Sequence, residues 1–560
     1  MLRTGGKVLV DQLALHGAEL AFCVPGESYL AVLDALYDAP IRLVTCRHEA
    51  AAANMAEAYG KLTGRPGICL VTRGPGATHA SIGVHTAYQD STPLILLIGQ
   101  VGRDMLEREA FQEIDYRRMF NSMAKWVAQI ESAERIPELL ARAFSVATAG
   151  RPGPVVLALP EDMLVDEVDV ADPGPYRPVH THPGRDELER LRELLDGCER
   201  PLVIVGGGKW NAQAAEDMVA FCEANELPVA TSFRRQDYVD NGSHVFVGHV
   251  GVGIDPALAT RVTEADLLLV VGPRLGEMTT GGYTLVEPPL PKQTLVHVHA
   301  GAEELGRVYQ PTLAIHAGSP EFAAAARGLS VSETQGSARR AWVEAARADH
   351  LTTLEPVASP GALNLSEVMA VLRERLPADA IICNGAGNFA TWPHRFWPFT
   401  RFRTQLAPTS GAMGYGVPAA IAAKIIHPDR TVVGFVGDGD FLMSGQELAT
   451  AVQERAEVLF LVVDNGMFGT IRMHQEREYP GRVIGTSLTN PDFAAFAASF
   501  GVHAARVERT EEFAPALEQA LAVGGPALLH LLVDPEAITP HTTLTAVREG
   551  TAARERTETV

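Results

Sequence analysis

Apolar and polar positions alternate in blocks along this chain. Short runs rich in Val, Ile and Leu are each followed by Ala-rich stretches whose apolar residues recur at helical spacing. This pattern is typical of parallel sheets joined by crossover helices, because helices cover both faces of such a sheet. The chain is therefore predicted to be an α/β protein built from doubly wound parallel sheets.

The pattern occurs three times, which predicts three domains, at 1–170, 185–335 and 355–540. A linker rich in Pro and His separates the first two, and residues 541–560 are expected to form a frayed tail because they lack apolar periodicity. In the first block the predicted strands are LAFCV, RLVTC, GICLVT, PLILLIG and GPVVLALP, with helices near 28–37, 49–63 and 77–88. In the second they are PLVIVGGG, LPVAT, DLLLVVG and TLVHVHA, and in the third AIICNGAG, TVVGFVGDG, VLFLVVDNG and PALLHLLVD.

Composition narrows the class of protein. The 560 residues carry a formal net charge of −21, so nucleic acid and anionic membranes are disfavoured as partners. Six cysteines lie far apart without a C-x-x-C pair, which favours reduced thiols and a cytoplasmic protein. The first residues do not resemble a signal peptide, and no run of 18 apolar residues predicts a membrane span.

Polar residues follow two neighbouring strands of the third block. Asp438 stands between glycines after TVVGFV, and Asn465 precedes a glycine after VLFLVVD. A strand, a helix and a parallel strand place both residues at the same sheet edge, where carboxylate and amide oxygens suit Mg²⁺. Turn formation alone would explain either D-G or N-G, but their pairing favours a metal site. Ser444 and Glu447 are also expected to form a capping box on the intervening helix.

These features resemble the thiamin diphosphate (ThDP) enzymes, most closely the acetolactate synthase group. The resemblance is carried by CRHEAAAANMAEAYGKLTGRPGICLVTRGPGATHASIG, AFQEIDYRRMF, TSGAMGYGVPAAIAA and the GDG-to-Asn segment. It follows the family order of a pyrimidine-binding, a middle and a diphosphate-binding domain. The resemblance implies a homodimer or homotetramer whose active site combines two subunits.

The resemblance also implies catalytic roles for two residues of the first domain. Glu49 would hydrogen-bond the pyrimidine N1′ and promote removal of the thiazolium C2 proton. Gln112 would orient a substrate or carbinol intermediate. From the residues alone, Glu49 opens an Ala-rich helix, where a carboxylate also stabilises the helix dipole.

Cofactor contacts are implied mainly in the third domain. Gly411 would accept from the 4′-amine through its carbonyl, and Met413 would hold the two rings in a bent form. The metal ligands would be Asp438, Asn465 and the main-chain oxygen of Met467. Residues expected to bind the cofactor, largely through backbone N–H groups near the diphosphate, are Asn384, Gly385, Gly387, Asn388, Gly437, Gly439, Asp440 and Asn465.

The expected substrate pocket departs from the family. Met278 occupies the position of an Arg that pairs with the acceptor carboxylate, and His474 replaces a Trp. Arg73 could hold a carboxylate instead, or could be a surface residue near a turn. His79 and His85 are either active-site or packed histidines. FAD is left open as a cofactor, because VIVGGGKWN is a weak dinucleotide motif.

Three functional interpretations remain open. The first is an acetolactate synthase-like transferase or lyase that decarboxylates a pyruvate-like 2-oxo acid and ligates the acyl unit to an acceptor carbonyl. The second is a non-oxidative decarboxylase, or a carboligase with aldehyde acceptors. The third, a catalytically silent subunit, is disfavoured because Glu49, Gln112, Asp438 and Asn465 are all present.

Overall fold

The computed structural model of the protein describes residues 2–332 and 336–558. Within those residues the strands form three six-stranded parallel sheets and one two-stranded antiparallel ribbon. The predicted α/β class with three parallel-sheet domains is therefore confirmed. Each large sheet lies inside one of the predicted domain ranges, whose end points stay predictions.

The first domain alternates strands with helices. Its strands are β1 (Arg3–Thr4), β2 (Leu20–Cys23), β3 (Arg42–Thr45), β4 (Gly67–Val71), β5 (Leu94–Gln100), β6 (Trp126–Gln129), β7 (Pro154–Pro160) and β8 (Glu167–Val168). Its α-helices are α1 (Gly5–Leu15), α2 (Leu30–Tyr37), α3 (Glu49–Thr63), α4 (Pro75–Asp90), α5 (Tyr116–Phe120) and α6 (Ile136–Thr148). The sheet order is β3-β2-β4-β5-β7-β6, so the winding direction reverses between β2 and β4.

The middle domain repeats this plan. Its strands are β9 (Pro201–Val205), β10 (Val229–Thr231), β11 (Phe246–His249), β12 (Leu267–Val271), β13 (Thr294–His299) and β14 (Leu313–His316). The α-helices are α7 (Arg185–Asp196), α8 (Ala212–Ala224), α9 (Pro256–Glu264), α10 (Ser319–Ala326) and α11 (Gly336–Thr352). The order is β11-β10-β9-β12-β13-β14, with the reversal between β9 and β12.

The third domain carries the two turns singled out in the sequence. Its strands are β15 (Ile381–Asn384), β16 (Gln405–Leu406), β17 (Val432–Gly437), β18 (Val458–Asp464), β19 (His503–Val507) and β20 (Ala527–Leu532). The α-helices are α12 (Leu365–Arg375), α13 (Thr391–Phe396), α14 (Gly416–Ile426), α15 (Asp438–Phe441), α16 (Leu448–Gln453), α17 (Gly469–Glu478), α18 (Phe493–Ala498), α19 (Thr510–Ala522) and α20 (Leu544–Glu558). The order is β16-β15-β17-β18-β20-β19, and the loops after β15 and β17 flank the reversal, where α/β sheets bind ligands.

The chain forms two compact units. The first unit comprises residues up to 239 and 243–347, and so holds the first two sheets. The second comprises residues 240–242 and those from 348 onwards, and holds the third sheet. Inside the first unit, the buried Arg151 donates to Ser91 Oγ at 3.0 Å and to Glu304 Oε1 at 2.9 Å, which ties the first domain to the middle one.

Two local predictions are wrong. Residues 541–560 were expected as a tail, yet they contain α20, and Arg548 donates to Glu476 Oε1 at 2.7 Å. Ser444 makes no side-chain capping bond, because a short 3₁₀ turn at Gly445–Glu447 precedes α16. Glu447 accepts from Thr450 Oγ1 at 2.6 Å, within the first turn of α16.

Candidate active site

Asp438 and Asn465 lie at the ends of adjacent parallel strands in the second unit. Gly437 of β17 pairs in register with Val463 of β18, so the residues that follow both strands emerge at one edge. Asp438 is the first residue of α15 and is only 4% exposed. Asn465 is partly exposed in the next turn, where its Oδ1 accepts from the Met467 N–H at 3.2 Å.

A polar chain supports Asp438 from behind. Asn490 Nδ2 donates to Asp438 Oδ2 at 2.7 Å and to Asp464 Oδ1 at 2.8 Å. His530 Nε2 contacts Asp464 Oδ2 at 2.9 Å. Burial raises the pKa of Asp438 to about 6. Burial acts the same way on Asp464, yet hydrogen bonds from His530 and Asn490 hold the pKa of Asp464 below its usual value.

This arrangement fits a bound cation. Two carboxylates share one amide, and the buried Asn490 Oδ1 has no hydrogen-bond partner among the described residues. Burial of a carboxylate is costly unless hydrogen bonds or a cation compensate for the lost hydration, and the unpartnered oxygen at this edge leaves room for such a cation. The oxygen donors of this edge are of the kind that Mg²⁺ prefers.

The loop after β15 packs tightly against the GDG turn. Asn384 is buried, and its Oδ1 contacts His394 Nε2 at 3.0 Å. A Cβ on Gly385 would lie 2.1 Å from Asp440 Oδ2, so only glycine fits there. A Cβ on Gly387 would clash with Phe389 at 2.5 Å, and Asn388 accepts from Thr470 Oγ1 at 2.9 Å.

Asp440 connects the loops that are predicted to hold the cofactor. Its Oδ1 accepts from the Gly414 N–H at 2.7 Å and from the Ala386 N–H at 3.4 Å. One oxygen of the carboxylate therefore accepts from backbone donors of the chain itself, and the diphosphate contact predicted for Asp440 would be made through its backbone N–H.

Four further predicted cofactor residues lie in these loops. Gly411 adopts φ +69°, a left-handed conformation that favours glycine, and is exposed. Met413 is partly buried two residues later, and Gly437 is the last residue of β17. Gly439 lies so close to Phe468 that a Cβ would be 2.5 Å from the ring.

Glu49 occupies the corresponding edge of the first unit. It is the first residue of α3, and His48 caps this helix by accepting the Ala50 N–H at its Nδ1. His79 Nδ1 lies 2.9 Å from Glu49 Oε2. The Glu49 side chain is 13% exposed, and its Oε1 would lie 3.5 Å from a Cβ on Gly76.

Gln112 lies against the turn that precedes α4, and Arg73 is part of that turn. Gln112 has φ +65°, its backbone lies against Gly74, and its Oε1 is buried without a hydrogen-bond partner in the described part of the chain. Arg73 is 8% exposed and donates to Glu161 at 2.9 Å and to Glu27 at 3.2 Å. The surface interpretation of Arg73 is therefore wrong, and its terminal nitrogens already bind two carboxylates of the chain.

The remaining predicted positions have different surroundings. Met278 is 40% exposed in the middle domain, and His474 is exposed on α17.

The glycine triplet after β9 is used for internal packing. The Gly207 carbonyl accepts from Arg235 and Tyr238, and a Cβ there would lie 2.0 Å from the Gly272 oxygen. The triplet therefore gives no support for a flavin.

Sequence reasoning missed several supporting residues. Asn490, Asp464 and His530 form the hydrogen-bonded series behind Asp438, and His79 contacts Glu49. One signal was available for His530, which is the single polar residue in the apolar run ALLHLL. Asn490 carries no such signal, because N-P is an ordinary turn dipeptide.

Comparisons with known proteins agree with the three-domain organisation. Models of the thiamine pyrophosphate enzyme N-terminal, central and C-terminal domains match residues 3–119, 188–325 and 385–531. Among the described residues, no helix combines the length and apolarity that crossing a membrane requires.

Curated relatives resemble the chain over nearly its whole length. An acetolactate synthase large subunit of Corynebacterium glutamicum is 33% identical over 557 residues, which cover 95% of this chain and 87% of the relative. The isozyme 2 large subunit of Escherichia coli is 31% identical, with 95% of both chains covered. A probable acetolactate synthase large subunit of Methanocaldococcus jannaschii is 31% identical over 96% of this chain and 93% of its own. With three matched domains and full-length relatives, the chain belongs to the thiamin diphosphate-dependent enzymes, in the family of the acetolactate synthase large subunits.

Proposed function

We propose that the protein decarboxylates a pyruvate-like 2-oxo acid and ligates the acyl unit to an acceptor carbonyl, with ThDP and Mg²⁺ as cofactors. The observation that carries this proposal is the placement of Asp438 and Asn465 at adjacent strand ends, beside the glycine loops that follow β15 and precede α14. When bound, ThDP would supply the carbanion equivalent that decarboxylation and ligation of a 2-oxo acid require.

The second unit would bind the cofactor. Asp438, Asn465 and the main-chain oxygen of Met467 would hold Mg²⁺. Backbone N–H groups at Gly385, Gly387, Asn388, Gly439 and Asp440 would hold the diphosphate, since positively polarised backbone donors cluster in these loops. Gly411 and Met413 would position the pyrimidine and the angle between the two rings.

The first unit would supply the proton chemistry and the substrate contacts. Glu49 would hold a proton at its carboxylate next to the pyrimidine, because it is shielded from water yet has one oxygen near the small residue Gly76. Gln112 would orient the substrate with its unpartnered Oε1.

We further propose a homodimer, or a tetramer of two dimers, whose active site uses Glu49 of one subunit with Asp438 of another. The family resemblance supports this arrangement. A cytoplasmic location is also proposed, because no disulfide joins the six cysteines, all of which lie in the described ranges and are buried.

A specific observation favours acceptors without a carboxylate. Met278, at the position of the family's carboxylate-pairing Arg, is neutral and 40% exposed. Arg73 is already engaged by Glu27 and Glu161 and is a poor replacement. A carboligase with aldehyde acceptors, or a simple decarboxylase, is therefore the second candidate.

Product analysis tests these proposals. The enzyme with ThDP and Mg²⁺ is incubated with pyruvate alone, with pyruvate and glyoxylate, and with pyruvate and an aldehyde, and the products are identified by mass spectrometry. Ligated product with any acceptor supports the carboligase. Free acetaldehyde alone in all three arms identifies a decarboxylase, and absence of pyruvate consumption contradicts both candidates.

A further inference from the structure

Glu49 is held by one side chain. His79, on α4, places its Nδ1 2.9 Å from Glu49 Oε2, whereas Glu49 Oε1 has no hydrogen-bond partner among the residues described. The two carboxylate oxygens therefore differ: one is fixed by a histidine, and the other faces the side of the small residue Gly76.

The neighbouring His48 is engaged in capping α3, so His79 is the histidine that contacts Glu49. His48 Nδ1 accepts the Ala50 N–H at 3.1 Å, so His48 acts as a neutral helix cap. Burial lowers the pKa of His48, and the nearby His79 adds to that effect. The two rings stack with centroids 4.5 Å apart, which limits rotation of His79.

We propose that His79 is a positioning residue that donates its Nδ1–H to Glu49 and so presents Oε1 to the cofactor. An ionised carboxylate can only accept, so the contact requires the Nδ1–H tautomer of a neutral His79 or its protonated form. This inference rests on the proposed function, since it assigns Glu49 its role in C2 proton removal. His79 itself is not placed against the reacting atoms.

The position of Glu49 at the start of α3 explains why a hydrogen bond from His79 adds to the effect of the helix dipole. Glu49 begins a helix, where the dipole stabilises its charge but does not select one rotamer or one oxygen. A hydrogen bond to a charged group is directional and is shorter than a neutral one. The side chain of His79 is 51% exposed, so replacing it leaves no buried cavity.

The apoprotein offers a direct readout. In protein labelled with ¹⁵N-histidine, two-bond ¹H–¹⁵N spectra distinguish Nδ1–H from Nε2–H, with His79→Asn providing the assignment. We expect neutral His79 to be protonated at Nδ1, and to shift towards the Nε2–H form in Glu49→Ala. An Nε2–H tautomer in the unmodified protein, or an unchanged tautomer in Glu49→Ala, would overturn the proposal.

A second experiment uses the enzyme loaded with ThDP and compares His79→Leu with the conservative variant His79→Asn. Asn places an amide N–H close to where His carries Nδ1, whereas Leu offers no donor. His79→Leu is expected to slow exchange of the ThDP C2 proton about tenfold to a hundredfold with unchanged ThDP affinity, and His79→Asn to restore it to within a few fold. An exchange rate in His79→Leu equal to the wild type, or in His79→Asn as slow as in His79→Leu, contradicts the inference.

Glu49→Gln separates this inference from the proposed function. If exchange survives in Glu49→Gln, the role of Glu49 itself is wrong. If Glu49→Gln abolishes exchange but His79→Leu does not change it, only the assignment of His79 fails. Circular dichroism and thermal melting of each variant identify any loss of folded protein.

Discussion

Two carboxylates occupy equivalent places in different units of this protein, yet their surroundings differ. Glu49 and Asp438 are each the first residue of a helix near a carboxyl edge of a parallel sheet. Asp438 is backed by Asn490, Asp464 and His530, whereas Glu49 has His79 as its one side-chain partner in the described chain. Local placement alone therefore does not determine what a carboxylate does.

The difference corresponds to two kinds of work. A metal ligand must keep its charge and its position, and hydrogen-bonded supports behind it supply both. A group that accepts and returns a proton needs one oxygen free of such bonds. The dense network at Asp438 and the single contact at Glu49 match these demands, which leads to predictions that separate binding from proton transfer.

The largest effect is expected at Glu49. Glu49→Gln should slow C2 proton exchange by about two to four orders of magnitude, because the amide cannot take up the proton. ThDP affinity should stay nearly unchanged, since Glu49 does not contact the diphosphate in the proposed arrangement. Quenched-flow NMR measures C2 exchange, and calorimetry measures ThDP binding. If ThDP affinity fell as much as the exchange rate, Glu49 would act in cofactor binding, as proposed for Asp438, and not in proton transfer.

Asp438→Ala should show the opposite pattern. Removing the charged side chain of the proposed metal ligand is expected to weaken Mg²⁺-dependent ThDP binding by about two to three orders of magnitude. The exposed Asp429→Ala in the same unit is the matched control and should bind normally. Binding of wild-type strength in Asp438→Ala, measured by calorimetry with and without Mg²⁺, would disprove the metal site.

A smaller effect is expected at Asn490, which lies behind the proposed metal ligand Asp438. Asn490→Ala removes the amide that Asp438 and Asp464 share, so their repulsion increases and Asp438 loses its orientation. Mg²⁺ affinity in the presence of ThDP should fall about tenfold to a hundredfold. The exposed neighbour in Thr489→Ala should leave it unchanged, and equal affinities for both variants would argue that Asp438 needs no support.

Sequence patterns were informative where local chemistry decides the structure. Inner strands such as β17 and β18 are continuous apolar runs, because both of their faces are buried. Five strands that the apolar runs did not predict all lie at the edges of their sheets: β6, β11, β14, β16 and β19. Most of them lack a continuous buried run. A half-exposed edge strand leaves no simple periodicity.

The supports of the site were unpredictable for a different reason. Asp464 and His530 are separated by 66 positions, and only the pairing of β18 with β20 brings them together. Glu49 and Asp438 could be placed because each directly follows a strand or opens a helix. The partners that distinguish them depend on tertiary packing, which a single sequence does not display.

Substrate choice should respond to a residue that the family resemblance singled out. Met278→Arg restores a cation at the expected acceptor position, so acetolactate formation should rise about tenfold relative to ligation with an uncharged aldehyde. Val252→Arg, another exposed apolar position of the middle domain, is the control. Competition assays with product quantification check this ratio. A wild-type enzyme that already makes acetolactate efficiently from pyruvate alone would contradict the premise.

The smallest effect concerns α17, the helix that follows the turn at Asn465. Glu476 of α17 is buried and accepts from Arg472, from Arg548 of α20 and from the Gly481 N–H. The hydrogen bond from Arg548 contributes most to lowering the pKa of Glu476 to about 2. Because the folded pKa lies below the ordinary value of about 4.3, ionised Glu476 stabilises the fold above that pH by about 1 to 3 kcal/mol.

Glu476→Gln should therefore lower the melting temperature by a few degrees at pH 7, and the difference should shrink as the pH falls from about 5 towards 2. Glu478→Gln, exposed on the same helix, should have no such pH-dependent effect. Melting curves between pH 7 and 3 measure the difference, and ThDP affinity is measured in parallel. A pH-independent difference would show that the packing of Glu476, and not its charge, stabilises α17 and α20. If Glu476→Gln leaves ThDP affinity unchanged, the proposed metal site depends on Asn490, Asp464 and His530 and not on the contact between α17 and α20. If the variant binds ThDP more weakly, that contact also stabilises the proposed site.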